Sequence, residues 1–229
     1  MSWQITVSGV DTLTIYFGDQ IDEQLSPRIL QARRCIEKKL HDRVLEMVPS
    51  YTSLLVQYDL LKDDRASITA ALEKCLASLS ATGLQTSSGE LKIIPVCYDK
   101  VLAPDLELLA HDKRLSVEEV IQRHCAKRYV VFAVGFMPGF AFLGKVDPSI
   151  ATPRIATPRS RVPKGAVGIA DQQTGIYPSP SPGGWNLIGR TPVDMFDPKR
   201  AQAAFLQVGD QVSFEAISLE QFDAMGGER

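Results

Sequence analysis

The sequence predicts an α+β protein in two parts. A small ferredoxin-like domain is expected over residues 1–88. A closed barrel or sandwich of short strands is expected over residues 89–229, preceded by short helices. Three observations lead there. The first half alternates strand and helix periodicity in the order ββαββαβ. The second half holds short β-rich runs divided by turn residues. Ten of the 14 prolines and nine of the 16 glycines lie between Gly135 and Pro198, a density that belongs to ordered loops rather than helices.

The opening reads as strand, turn, strand: residues 4–8 and 12–17 alternate apolar and polar around Gly9-Val10-Asp11. A helix follows, with Ser26 as cap, Pro27 at its first position, and Leu25, Ile29, Ala32, Ile36 and Leu40 at helical spacing. Residues 43–48 and 53–58 read as strands broken by Pro49-Ser50. Ile68, Ala71, Leu72, Cys75, Leu76 and Leu79 form one helical stripe, and Gly83 is its expected stop. Residues 91–98 read as a strand, and residues 86–89 as a linker.

A brief helix is expected over 104–110. A second starts at Ser116, where Glu119 completes a capping box and Leu115 and Val120 occupy the staple positions. It should end near His124-Cys125. Residues 129–135, 166–170, 185–190 and 211–215 read as strands. The tail, 218–229, fits a short helix ending at Gly226-Gly227 or a disordered end.

Composition bounds the function. The chain has 229 residues, 45% hydrophobic and 23% charged, with a formal net charge of −2. That balance argues against nonspecific nucleic-acid binding, which needs a cationic excess. No apolar run approaches the ~20 residues of a spanning helix, and the first residues lack the pattern of a signal peptide. Four scattered cysteines without a Cys-x-x-Cys fit a reduced, cytoplasmic setting.

Chemistry concentrates in the second half. Between Pro148 and Val193, Arg154, Arg159, Arg161, Lys164 and Arg190 face one acid, Asp171. Prolines 153, 158 and 163 stiffen the loop that carries them. Guanidinium forks suit carboxylate or phosphate, so an anion pocket is the functional reading. Pairing with acids elsewhere in the chain is the plain alternative. Gly135-Phe-Met-Pro-Gly-Phe-Ala-Phe-Leu-Gly144 offers apolar walls in Phe136, Phe140 and Phe142, or simply a barrel strand and its turn. Its end mimics a phosphate loop, Gly139-x4-Gly144-Lys145, but Val146 replaces the Ser or Thr and Asp147-Pro148 follows where a helix should begin. Gln173, Thr174, Tyr177 and Asn186 group polar atoms beside Trp185, a mix suited to a small polar molecule or to loop structure. His41 and His111 read as surface residues. His124 is a proton-transfer candidate or a structural histidine. No metal-ligand spacing appears, and no nucleophile or base is assigned.

Four segments in order carry a resemblance: 135–144, Thr157-Pro-Arg-Ser-Arg-Val-Pro163, Gln173-Thr-Gly-Ile-Tyr-Pro178, and Ser181-Pro-Gly-Gly-Trp-Asn-Leu-Ile-Gly-Arg-Thr-Pro192. Gly9-Val-Asp-Thr-Leu, Pro49-Ser-Tyr-Thr-Ser-Leu-Leu-Val56 and Pro104-Asp-Leu-Glu107 extend it toward the start. The sequence resembles the carboxyltransferase-domain family of allophanate hydrolase subunit 1. That family includes a component of the ATP-dependent 5-oxoprolinase and the KipI-type inhibitor of sensor histidine kinases.

The resemblance implies a small α/β domain joined to a cyclophilin-like β-barrel. It implies the B component of an enzyme that opens the lactam of 5-oxo-L-proline to L-glutamate, working with partner subunits A and C and with ATP as co-substrate, and inactive alone. The alternatives it carries are a kinase inhibitor whose partner is a histidine kinase, and an allophanate or urea carboxyl-transfer subunit. Phe136, Pro138, Gly139, Phe140, Arg154, Arg159, Arg161, Gln173, Thr174, Tyr177, Trp185, Asn186 and Arg190 are the expected substrate-binding residues, with no metal. The sequence departs from the family at Asp99-Lys-Val-Leu-Ala103, which lacks glycines, at Lys145-Val146, and at Phe142, where Tyr is common.

Overall fold

The computed structural model describes residues 3–80 and 89–229. The expected stop at Gly83 and residues 86–88 of the expected linker lie outside them. The chain divides into two compact units, residues 1–88 and 89–229.

The first unit runs β1 (Gln4–Val7), β2 (Thr12–Tyr16), α1 (Leu25–Leu40), β3 (Val44–Pro49), β4 (Ser53–Tyr58) and α2 (Arg65–Ser80). Its strands form one antiparallel sheet in the order β1-β2-β4-β3. Alternation sets the face: Leu54, Val56 and Tyr58 on β4 and Leu13 and Ile15 on β2 are buried. They pack under Ile29, Ala32 and Ile36 of α1 and Ile68, Leu72 and Leu76 of α2.

Two expectations change here. Helix α1 starts two residues early, at Leu25. Ser26 is therefore a buried first-turn residue and not the cap, and Pro27 sits where a missing N–H costs nothing. The element order is ββαββα, whereas a ferredoxin-like unit runs βαββαβ, so the α+β class stands and the ferredoxin-like label does not carry over. The seventh expected element belongs to the second unit.

That unit opens with β5 (Leu91–Cys97), α3 (Leu106–Lys113) and α4 (Val117–Cys125). The capping box on α4 is present: Ser116 Oγ accepts from Glu119 N, and Ser116 N donates to Glu119 Oε2. Then come β6 (Arg128–Val134), β7 (Ala141–Gly144), β8 (Arg159–Val162), β9 (Ala166–Ala170), β10 (Gln173–Ile176), β11 (Ser181–Gly183), β12 (Asn186–Arg190), β13 (Gln211–Ile217) and α5 (Leu219–Ala224). Seven strands close a barrel in the order β10-β7-β6-β13-β5-β12-β9. Every ladder is antiparallel except β5–β13, which runs parallel from Leu91 opposite Gln211 to Cys97 opposite Ile217. The first and last strands of the barrel thus seal it side by side, leaving no free edge.

The interior is apolar, with Ile94, Val96, Val131, Leu143, Val167, Ile169, Ile188 and Phe214 at its centre. Helix α4 packs against β13, α3 against β12 and α5 against β5. Strands β8 and β11 pair with each other outside the barrel. No helix among the described residues is long and apolar enough to cross a membrane.

Candidate functional site

The Gly-Phe segment makes a turn and then barrel strand β7. Phe140 is the hub of an aromatic cluster between the barrel wall and the β8–β11 pair. The rings of Phe136, Phe142, Tyr177 and Trp185 all meet it edge-on, with centroids 5.5, 4.8, 5.2 and 5.6 Å away. Phe140, Tyr177 and Trp185 are buried with Val162, Ala166, Ala170 and Leu187. They form a second core and are not open ligand walls. Phe142, on the same side as Phe140 as alternation predicted, is half-buried against it.

Phe136 differs: it is 67% exposed and holds a left-handed φ of +71°. An aromatic side chain in that region is strained, and such strain gathers at functional turns. The turn is fixed by Gly139, φ +83°, where a Cβ would lie 2.7 Å from Phe196 Cβ and 2.9 Å from the Met195 carbonyl. Pro138 beside it is exposed.

The arginines do not converge on one hollow. Arg159 Nη2 donates to Asp105 Oδ1 at 2.5 Å, and its Nη1 reaches the Trp185 carbonyl at 3.5 Å. Asp105 Oδ2 accepts from Leu187 N at 2.6 Å. Arg154 and Arg161 are exposed, and neither side chain has a hydrogen bond or ion pair among the described residues. Arg154 lies close enough to Tyr177, with Arg159, to oppose the upward push that burial gives the Tyr177 phenol. Lys164 pairs with Asp194. Two of the five cations are thus neutralised by acids outside the basic stretch, as the plain alternative held.

Arg190 stands at the other end of β12, 8% exposed, with Nε donating to the Lys164 carbonyl at 2.7 Å. It lines a separate cavity of about 210 Å³ with Lys164, Thr191, Asp194 and Glu228.

The polar residues are mostly engaged internally. Asn186 Nδ2 donates to the carbonyls of Pro153 and Ile169, at 2.8 and 3.1 Å, tying the proline-rich loop to the barrel. Thr174 is fully buried, and its hydroxyl donates to the Gly168 carbonyl at 3.0 Å. Its lone pair then accepts from His124 Nε2 at 2.9 Å. That fixes the imidazole as the Nε2–H tautomer, and Nδ1 accepts from Tyr98 O–H at 2.7 Å. Burial pushes His124 down to about 3. The ring is neutral, stacked on Phe214 at 4.4 Å and sealed in the barrel, so it is the structural histidine of the two readings. Gln173 is half-buried at the start of β10.

Lys145 follows β7 directly, and Gly144 is a strand residue paired with Val130. The phosphate-loop mimic is therefore a barrel strand. Asp105 is the residue sequence reasoning missed. Its signal was its place ahead of α3 within Pro104-Asp-Leu-Glu107, which reads as a helix start and says nothing of Arg159, 54 positions on.

The turn at Phe136 offers an exposed strained aromatic and an exposed proline. Arg154 and Arg161 are exposed guanidinium groups on the segment that follows β7, and Arg159 is held by Asp105. An exposed aromatic suits a flat or apolar group and an exposed guanidinium suits an anion. These residues include no nucleophile–base pair.

The family described as "Carboxyltransferase domain, subdomain C and D" matches residues 3–206. Over 232 residues the chain is 38% identical to the B subunit of 5-oxoprolinase from Bacillus subtilis (strain 168), covering 97% of this chain and 96% of that one. The 5-oxoprolinase B subunit of Haemophilus influenzae is 40% identical over 177 residues, 77% of this chain and 81% of that one. Among solved structures, the crystal structure of TTHA0988 aligns with a TM-score of 0.79 at 35% identity, covering 90% of this chain. This chain spans 40% of that protein's length.

Proposed function

This chain belongs to the carboxyltransferase-domain family, and on that premise we propose that it works as the B subunit of a 5-oxoprolinase. The near end-to-end match to a protein of that name carries the reading. The reaction is hydrolysis of the lactam of 5-oxo-L-proline to L-glutamate, coupled to ATP hydrolysis. An unstrained amide resists water, and phosphorylation of its oxygen would make the carbonyl carbon a far better electrophile. Such a step needs donors placed where negative charge develops.

In this reading the face around Phe136 and Pro138 is where the chain meets substrate and partner. Arg154 and Arg161 contribute charge to carboxylate or phosphoryl oxygens, and Arg159, oriented by Asp105, is the positioned third cation. The buried set, Gly139, Phe140, Thr174, Tyr177, Trp185 and Asn186, holds that face in shape, with Gln173 at its margin. The acid–base groups come from partner subunits A and C. ATP, the co-substrate of the complex, is in this reading bound by or shared with a partner subunit.

The test mixes this chain with subunits A and C and follows phosphate release with and without 5-oxoproline. Phosphate release that depends on 5-oxoproline and on this chain is the expected result. Equal release when the chain is left out would overturn the reading.

A further inference from the structure

The cavity at the Arg190 end of β12 has a built character that the Phe136 face lacks. Arg190 is 8% exposed and Thr191 3%. Only Nε of the guanidinium has a protein acceptor among the described residues, so Nη1 and Nη2 are left to the cavity that Arg190 lines. Thr191 Oγ1 accepts from Val193 N at 3.1 Å and keeps its O–H to donate. A buried guanidinium and a buried hydroxyl with unused donors favour an acceptor that brings its own charge.

The chain brings one acid to the mouth. Helix α5 ends in a Schellman turn: Gly226 N donates to Asp223 O and Gly227 N to Phe222 O, both at 2.9 Å, with Gly226 at φ +80°. Arg229 folds back onto Asp223. The turn delivers Glu228 to the cavity lining, where its charge supports the Arg190 guanidinium against the lowering effect of burial. Glu228 is itself exposed and forms no ion pair with Arg190.

Charge sets the class of ligand. Lys164 and Asp194 cancel as a pair. Arg190 and Glu228 remain, so the cavity with its tail is neutral and without Glu228 carries one positive charge. A volume of about 210 Å³ admits only a small molecule. We propose that this cavity is a site for a small monocarboxylate, bound by the Arg190 fork and the Thr191 hydroxyl, with Glu228 as the nearby negative charge that opposes its binding.

The inference is independent of 5-oxoprolinase activity, because its test uses the full chain alone and measures no turnover. The ¹⁵N-labelled chain is titrated with sodium acetate, and with sodium chloride at matched ionic strength. Saturable shifts of the Gly226 and Gly227 amides with acetate, absent with chloride, are expected. Glu228→Gln removes the opposing charge and should tighten acetate by about threefold or more. Arg190→Lys keeps the charge but loses the fork, and should weaken acetate about tenfold. Equal shifts with chloride and acetate would overturn the proposal, as would a Glu228→Gln variant that binds acetate no better than the native chain. Should Arg190→Lys not fold, the exposed Glu228→Gln variant still decides. A response to sodium phosphate with none to acetate would also overturn it.

Discussion

Asp105 holds Arg159 with one carboxylate oxygen and the Leu187 amide with the other, joining the start of α3 to β8 and β12. One acid thus fixes a guanidinium and a strand of the barrel wall together. Removing the acid strands both partners, while removing Arg159 leaves the Leu187 bond intact. Asp105→Ala should therefore cost about 2–3 kcal/mol of unfolding free energy and Arg159→Ala about 1 kcal/mol, since the pair is partly exposed. Denaturant unfolding of both single variants and the double variant measures this. A double-variant loss equal to the sum of the singles would show that the two do not interact.

His124 gives the fold an acid limit. The free imidazole titrates near 6.5, and burial lowers it to about 3 in the folded chain. Because the folded value lies below the unfolded one, its contribution is complete above pH 6.5 and is lost as pH falls toward 3. In that window this residue alone should remove up to about 1.4 kcal/mol per pH unit. Unfolding curves of the native chain and of His124→Gln between pH 7 and 4 check it. The variant should be less stable at pH 7 but show a shallower decline.

Gly139 should tolerate no side chain. Its φ of +83° and the 2.7 Å approach a Cβ would make to Phe196 combine strain and clash. Gly139→Ala should cost about 2 kcal/mol or more. Thermal unfolding reads this directly, and a loss below about 0.5 kcal/mol would contradict the turn geometry.

Phe136 separates stability from function. Glycine there relieves a left-handed φ worth about 1–2 kcal/mol and forfeits an edge-on contact of similar size. Phe136→Gly should leave unfolding free energy within about 1 kcal/mol of native. If this face serves the complex, the same variant should lower 5-oxoproline-dependent phosphate release severalfold with subunits A and C. Native turnover from the variant would remove Phe136 from the site.

Local signals in the sequence carried far in some places and failed in others for definable reasons. The stripe from Ile68 to Leu79, the box at Ser116 and Glu119, and the β-former run before Gly135 each act within a few residues, and each element formed where that pattern lies. The start of α1 did not, because burial of Leu25 and Ser26 outweighed capping at Ser26. Strands β8, β10 and β11 have only three or four residues, too few to show a period, and β8 and β11 pair only with each other, some twenty residues apart.

The amino-acid sequence by itself determined the class, the turn-rich second half, the family likeness and which residues had chemistry to offer. Tertiary structure alone decided how they are used. Asp105 reaches Arg159 across 54 positions, Thr174 meets His124 50 positions away, and β12 sets Asn186 and Arg190 at opposite ends of one strand. The physical reason is that charge and hydrogen-bonding capacity are properties of a residue, but satisfaction of them is a property of whatever folding brings within about 3 Å.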